Sequence, residues 1–160
     1  MTISLLEIKA IAMSLAESGG LNQFGLMSQS RWSPGLQVLL VEDDEADAYL
    51  IRRALAANPR VSDVVLAEDG YEALDLFDRH RVFPDLALVD LRMPRKDGLA
   101  FLKDLAARPS ALFPCAVLTS SKSGKDALRA KSRGAIEFVT KPKAEPELKS
   151  TLDRIIAGVC

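Results

Sequence analysis

From Leu36 onward the chain alternates short apolar runs rich in β-forming residues with longer stretches of helical period, and nothing else in the sequence narrows the fold so far. The runs at 37–41, 61–67, 85–90, 115–119 and 136–140 read as strands. They are hydrophobic almost without interruption, which suits strands covered by helices on both faces. Segments 45–57, 70–79, 99–107, 125–133 and 145–157 read as helices. The first sets Leu50, Ile51, Ala54 and Leu55 on one stripe before Asn58-Pro59 ends it, and the last repeats Leu148, Leu152, Ile155 and Ile156 at helical spacing. Five strand–helix units predict an α/β fold with one doubly wound parallel sheet.

The first 35 residues differ in character. Ser4 and Glu7 have the spacing of a capping box, Ile8, Ile11, Ala12 and Leu15 form an apolar stripe, and Gly19-Gly20 stops it. Residues 22–35 carry Ser, Gln, Arg, Pro and Gly without periodicity. The expected organisation is therefore an amphipathic helix and linker over 1–35, with one domain over 36–160. So short a helix needs a surface to pack on, either its own domain or a second copy in a homodimer. Met27 is an alternative translation start, which would remove the stripe altogether.

Several classes of function drop out on composition. A net charge of -1 and a pI near 5.9 leave no basic footprint for nucleic acid. No apolar run approaches the roughly 20 residues that span a bilayer, and Glu7 and Lys9 interrupt the N-terminal stretch, so neither a membrane anchor nor a secretory leader is expected. A cytoplasmic location follows as an expectation. Cys115 and Cys160 have no CxxC partner and no histidine cluster, which reads as two reduced thiols and no zinc site.

In open parallel sheets, ligands bind beyond the carboxyl ends of the strands. Glu42 and Asp43 end the first run, Asp90 the third and Thr119 the fourth, while Lys141 follows the fifth. Three carboxylates, a hydroxyl and an ammonium are thus expected on one rim. Carboxylates crowded together repel and call for a cation, and a hard divalent ion such as Mg²⁺ accepts an all-oxygen shell. With its charge neutralised in this way, a carboxylate can attack phosphorus, and Asp90 is the best placed nucleophile. Each residue has a plainer explanation alone: Glu42, Asp43 and Asp44 as helix caps, Asp90 as a turn residue, Thr119 as a β-former and Lys141 as a solvated charge. Their recurrence at consecutive strand ends favours a site.

The same residues resemble the response-regulator receiver family over 36–159. Val38-Leu-Leu-Val-Glu-Asp-Asp44 is similar to its first strand and acidic pair, and Leu88-Val-Asp-Leu-Arg-Met-Pro-Arg-Lys-Asp-Gly98 to its phosphorylation segment. Pro114-Cys-Ala-Val-Leu-Thr119 resembles its switch strand, and Phe138-Val-Thr-Lys-Pro142 its Lys-Pro signature, preceded by Gly134-Ala135. The resemblance implies a flavodoxin-like sheet of order 2-1-3-4-5 and phosphorylation of Asp90. It implies Mg²⁺ held by Asp43, Asp90 and the Arg92 backbone carbonyl, with Glu42 acting through a water. Thr119 and Lys141 would contact the phosphoryl oxygens, with Asp44 in support. Pro142, preceded by a cis peptide, would aim the lysine. Thr119 and Phe138 would form the switch, although Phe138 reads equally well as a core residue. Positions two after Asp90 and two after Thr119, which modulate phosphoryl lifetime in the family, are Arg92 and Ser121. The segment 42–55 is further similar to stand-alone receivers of the phytochrome-associated type.

With the receiver part ending near Cys160, a single-domain regulator is expected, not an enzyme. Its phosphodonor would be a sensor histidine kinase or phosphotransfer protein. Its output would be an unidentified protein target met through the fourth and fifth helices and the strand between them. Two other readings are a phosphorylation-independent interaction module, which the complete residue set disfavours, and an aspartyl-phosphate phosphatase. The phosphatase reading is weakened by Arg92, where such enzymes carry a second acid.

Overall fold

The structure, a computed structural model, describes residues 35–159. The expected N-terminal helix, its linker up to Pro34, and Cys160 lie outside the described residues. The elements are β1 (Leu36–Val41), α1 (Glu45–Ala56), β2 (Val61–Ala67), α2 (Gly70–Asp78), β3 (Leu86–Val89), α3 (Gly98–Ala106), β4 (Cys115–Thr119), α4 (Gly124–Ser132), β5 (Glu137–Thr140) and α5 (Glu145–Val159). Every strand pairing is parallel, and the order is β2-β1-β3-β4-β5, the flavodoxin-like arrangement expected from the resemblance.

Alternation along the central strands divides the interior into two layers. Val38 and Leu40 of β1, with Leu86 and Leu88 of β3, face α1 and α5, where Ile51, Leu55, Leu148, Leu152, Ile155 and Ile156 complete one core. Leu39, Val41, Ala87 and Val89 point the other way, onto Ala73, Leu74, Phe101, Leu102, Leu105 and Ala130 from α2, α3 and α4. Both faces of β3 are fully covered, which is why its sequence reads as an unbroken apolar run. Each Leu or Ile buried in this way contributes roughly 1.5–3 kcal/mol relative to exposure.

Side-chain caps set the start of four helices. Asp44 accepts from the Asp47 N–H at 2.8 Å, Asp69 from Glu72 at 3.0 Å, Asp97 from Ala100 at 2.8 Å and Ser123 from Asp126 at 3.4 Å. Such caps satisfy helix N–H groups that would otherwise be orphaned and contribute about 1 kcal/mol each. Asp44 is exposed, and this capping bond gives the supporting residue of the acidic string a structural task.

One expectation needs correction. No cis peptide occurs among the described residues, so the bond before Pro142 is trans. Trans is the lower-energy form of an X–Pro bond by about 0.5–1 kcal/mol. Lys141 is aimed by the sheet instead, since its backbone N–H continues the ladder by donating to Thr119 O at 2.7 Å.

Candidate phosphoryl-acceptor and metal site

The rim at the carboxyl ends of β1, β3, β4 and β5 gathers most of the residues singled out from sequence. Glu42 follows β1 and is 2% exposed, and Asp90 follows β3 at 5%. Asp43, between Glu42 and the α1 cap, is exposed. The Asp90 N–H donates to Val41 O at 3.0 Å, so the register of β3 on β1 carries the two acidic positions together. One carboxylate oxygen from each of Glu42, Asp43 and Asp90 lies within 4.8 Å of the others. Thr119 is fully buried at the end of β4, its Oγ1 accepting from the Ser121 N–H at 3.3 Å.

Lys141 reaches into this cluster from the end of β5. Its Nζ lies 2.6 Å from Glu42 Oε2, 2.8 Å from Asp47 Oδ2 and 3.6 Å from Asp90 Oδ2. Burial alone would lower the lysine pKa, but the hydrogen bond to Asp47, the close Glu42 carboxylate and the charge on Asp90 outweigh it, and the ammonium is held above its usual range. Glu42 moves the opposite way from a normal ion-paired acid. Burial pushes its carboxyl up to about 7, Asp90 adds to the shift, and Lys141 and the Asp44 N–H only partly offset it. One ammonium does not neutralise three neighbouring carboxylates, and the deficit falls on the most buried of them.

Three buried side-chain oxygens among the described residues lack a hydrogen bond: Glu42 Oε2, Asp69 Oδ2 and Asp90 Oδ1. The first two sit against Lys141 and Arg95. Asp90 is different, because Lys141 approaches its other oxygen and leaves Oδ1 with unfilled lone pairs. An orphaned carboxylate oxygen costs free energy unless a ligand completes it. An all-oxygen donor set with excess negative charge and one unfilled anionic oxygen fits a hard divalent cation.

Two residues of this region were not anticipated. Asp47 binds Lys141 from the first turn of α1, and Asp126 binds Arg92 and Ser121 from the first turn of α4. Acidic residues in a first helical turn are favoured by the helix dipole in any case, so their type carried no signal of a site. Phe138 is half-buried on β5, packed against the α2, α3 and α4 core. Pro142 is half-buried beside the lysine. Cys115 is buried inside β4 and its thiol is pushed up to about 12 by burial, which makes it unreactive at neutral pH.

The sequence profile of the response regulator receiver domain matches residues 38–153. The chain is similar to protein-glutamate methylesterase/protein-glutamine glutaminase 2 of Shewanella sp. strain MR-7, with 38% identity over 112 residues, 69% of this chain and 31% of that protein. It is also similar to response regulator MprA of Mycobacterium sp. strain KMS, with 36% identity over 121 residues, 76% of this chain and 50% of that protein. It therefore spans about a third to a half of the length of these curated relatives. Among solved structures, the phosphorylated cyanobacterial phytochrome response regulator RcpA superposes with a TM-score of 0.71 at 30% identity, covering 76% of this chain and 91% of that one. The Mn²⁺-bound form of response regulator Rcp1 gives 0.67 at 27% identity, covering 75% and 91%. A profile match across most of the described residues, on a sheet of this order with this acidic rim, means that the chain belongs to the response regulator receiver domain family.

Proposed function

We propose that this receiver accepts a phosphoryl group on Asp90 and that the modification switches a protein-binding surface. The observation that carries the proposal is the unsatisfied Oδ1 of a buried Asp90, placed beside an ammonium and two further carboxylates. Receivers of this family take phosphoryl groups from histidine kinases or phosphotransfer proteins and bind Mg²⁺ through an acidic cluster. In this chain Asp43, Asp90 and the Arg92 carbonyl would hold the ion, with Glu42 acting through a water. Bound there, Mg²⁺ supplies positive charge to the oxygens of the transferring group.

The remaining work belongs to the side chains. An Asp90 oxygen forms a bond to phosphorus as the bond from phosphorus to the donor breaks, and the electron pair leaves on the donor. Lys141, charged throughout the physiological range, exchanges a carboxylate contact for a phosphoryl oxygen. Thr119 gives up its bond from the Ser121 N–H and donates its hydroxyl to the phosphoryl group. The space it leaves admits Phe138, whose ring has no hydroxyl to anchor it outward.

The proposed output surface comprises α4, β5 and α5. Leu128 is 72% exposed on α4 and Ile136 54% exposed before β5, apolar area suited to a protein contact. A partner met without a fused output module is the reading we adopt. The likeness to the phytochrome response regulators RcpA and Rcp1, each matched over 91% of its chain, supports it.

The test is labelling by a small acyl phosphate with Mg²⁺ present. Label should appear on the wild-type protein, fall to background in Asp90→Asn, and disappear when the metal is chelated. Undiminished label in Asp90→Asn would remove the assignment.

A further inference from the structure

We infer that Asp47 is a positioning residue for the acceptor pocket: it holds the Lys141 ammonium off Asp90 in the resting state and so leaves that carboxylate open to a divalent cation. This rests on the reading that Asp43 and Asp90 are the metal ligands.

Three acids surround the ammonium, and their contacts are unequal. Lys141 Nζ donates to Asp47 Oδ2 at 2.8 Å. Glu42 Oε2 lies closer, at 2.6 Å, but without hydrogen-bond geometry, and Asp90 Oδ2 stands at 3.6 Å, beyond hydrogen-bond reach. Asp47 therefore sets the direction in which the ammonium points. Its side chain is also the most exposed of the three, 42% against 1% for Glu42 and 6% for Asp90, so its pull is toward the outer side of the cluster.

An acid in the first turn of a helix needs no site to explain it, since the helix dipole favours it there. The hydrogen bonds separate Asp47 from that case. A polar side chain three positions after the N-cap commonly folds back onto the N-cap N–H. Here the Asp44 N–H donates to Glu42 Oε1 at 3.1 Å instead. Asp47 gives the cap only its backbone N–H, to Asp44 Oδ1 at 2.8 Å, and its carboxylate crosses to a lysine 94 positions away. Its backbone is held in place, because Ala48 and Ile51 of the same helix are buried in the core against β1 and β3.

The consequence is electrostatic. Without Asp47 the ammonium keeps Glu42, and the other carboxylate within ion-pair reach among the described residues is Asp90. Closing the gap from 3.6 Å gives the lysine a charge-assisted bond to Asp90 Oδ2. That bond takes up the negative charge on which a cation depends, and a cation then has to displace the ammonium before it can use the carboxylate. Asp47 thus keeps the lysine close enough to reach a phosphoryl oxygen while keeping it out of competition with the metal.

Calorimetric titration of the full chain with Mg²⁺ at fixed ionic strength reads this competition. Asp47→Ala should bind Mg²⁺ about threefold or more weakly than the wild type, the scale of a partly exposed ion pair. In a Lys141→Met background the same substitution should cost nothing further, because no ammonium is left to redirect. Labelling by a small acyl phosphate should be slowed in Asp47→Ala at limiting Mg²⁺ and return to the wild-type rate at saturating Mg²⁺, which a distorted α1 would not allow. Wild-type affinity in Asp47→Ala, an equal loss in the Lys141→Met background, or a labelling defect that persists at saturating metal would overturn the inference while leaving Asp90 as acceptor. A wild-type protein that binds no Mg²⁺ would overturn both.

Discussion

Lys141 places one ammonium among three carboxylates, and that placement decides how the site responds to a metal. Removing the lysine takes away the ammonium that lies 2.6 Å from Glu42 and 3.6 Å from Asp90, beside the cluster they form with Asp43. At an effective dielectric of about 20, unit charges about 4 Å apart interact by about 4 kcal/mol, so a divalent ion then has more to gain. Lys141→Met should therefore bind Mg²⁺ as tightly as the wild type or more so by calorimetry, yet fail to pass phosphorylation on to its surface. Asp43→Ala should lose at least about tenfold in Mg²⁺ affinity, since a ligand matters no less than the groups that support one. A Lys141→Met protein with affinity as poor as Asp43→Ala would show that the lysine organises the metal and not the phosphoryl group. The clustering of Asp90, its acidic neighbours and this lysine was legible because strand ends in a parallel sheet face one way. Asp47 was not, because its bond to Lys141 spans 94 positions and exists only once α1 is docked.

At the level of elements, the site depends on how closely α3 approaches the strand it follows. The Gly98 N–H donates to Leu91 O at 3.2 Å, and a Cβ at this position would stand 2.2 Å from Asp90 O and 2.9 Å from Leu91 Cα. Both obstacles are backbone, so no side-chain rotation relieves them. Gly98→Ala should push the Asp90–Leu91 peptide aside, destabilise the fold by about 1–3 kcal/mol in denaturant titration and slow labelling by up to about 100-fold. Labelling at the wild-type rate would mean that the helix, not the acceptor, had moved. Element type and order were readable from periodicity, and differences arose at the ends. The strand expected over 85–90 is Leu86–Val89, although the Asp85 and Asp90 N–H groups still bond to Gln37 O and Val41 O. The strand expected from 136 begins at Glu137, although the Ile136 N–H reaches Cys115 O. These end residues continue the ladder while the chain already turns, and composition does not distinguish the two states.

For the molecule as a whole, two cores cover opposite faces of one sheet, and the pocket residues from Glu42 to Lys141 fall within the stretch the family profile matches. A protein starting at Met27 should therefore fold and take label on Asp90 at the full-length rate, with mass in solution recorded for both. Loss of label in a folded truncated protein would assign the N-terminal segment to the chemistry, whereas a change of mass alone would assign it to assembly. The Asp90 oxygen left without a partner has a longer-term consequence. A fold that holds like charges together in its interior is less robust than the same fold with a neutral residue there, so with Asp90 as the proposed acceptor, signalling and durability are under opposed selection at this position. A lineage released from the need to signal would drift toward a hardier, silent descendant, and the acceptor would be among the first residues it lost.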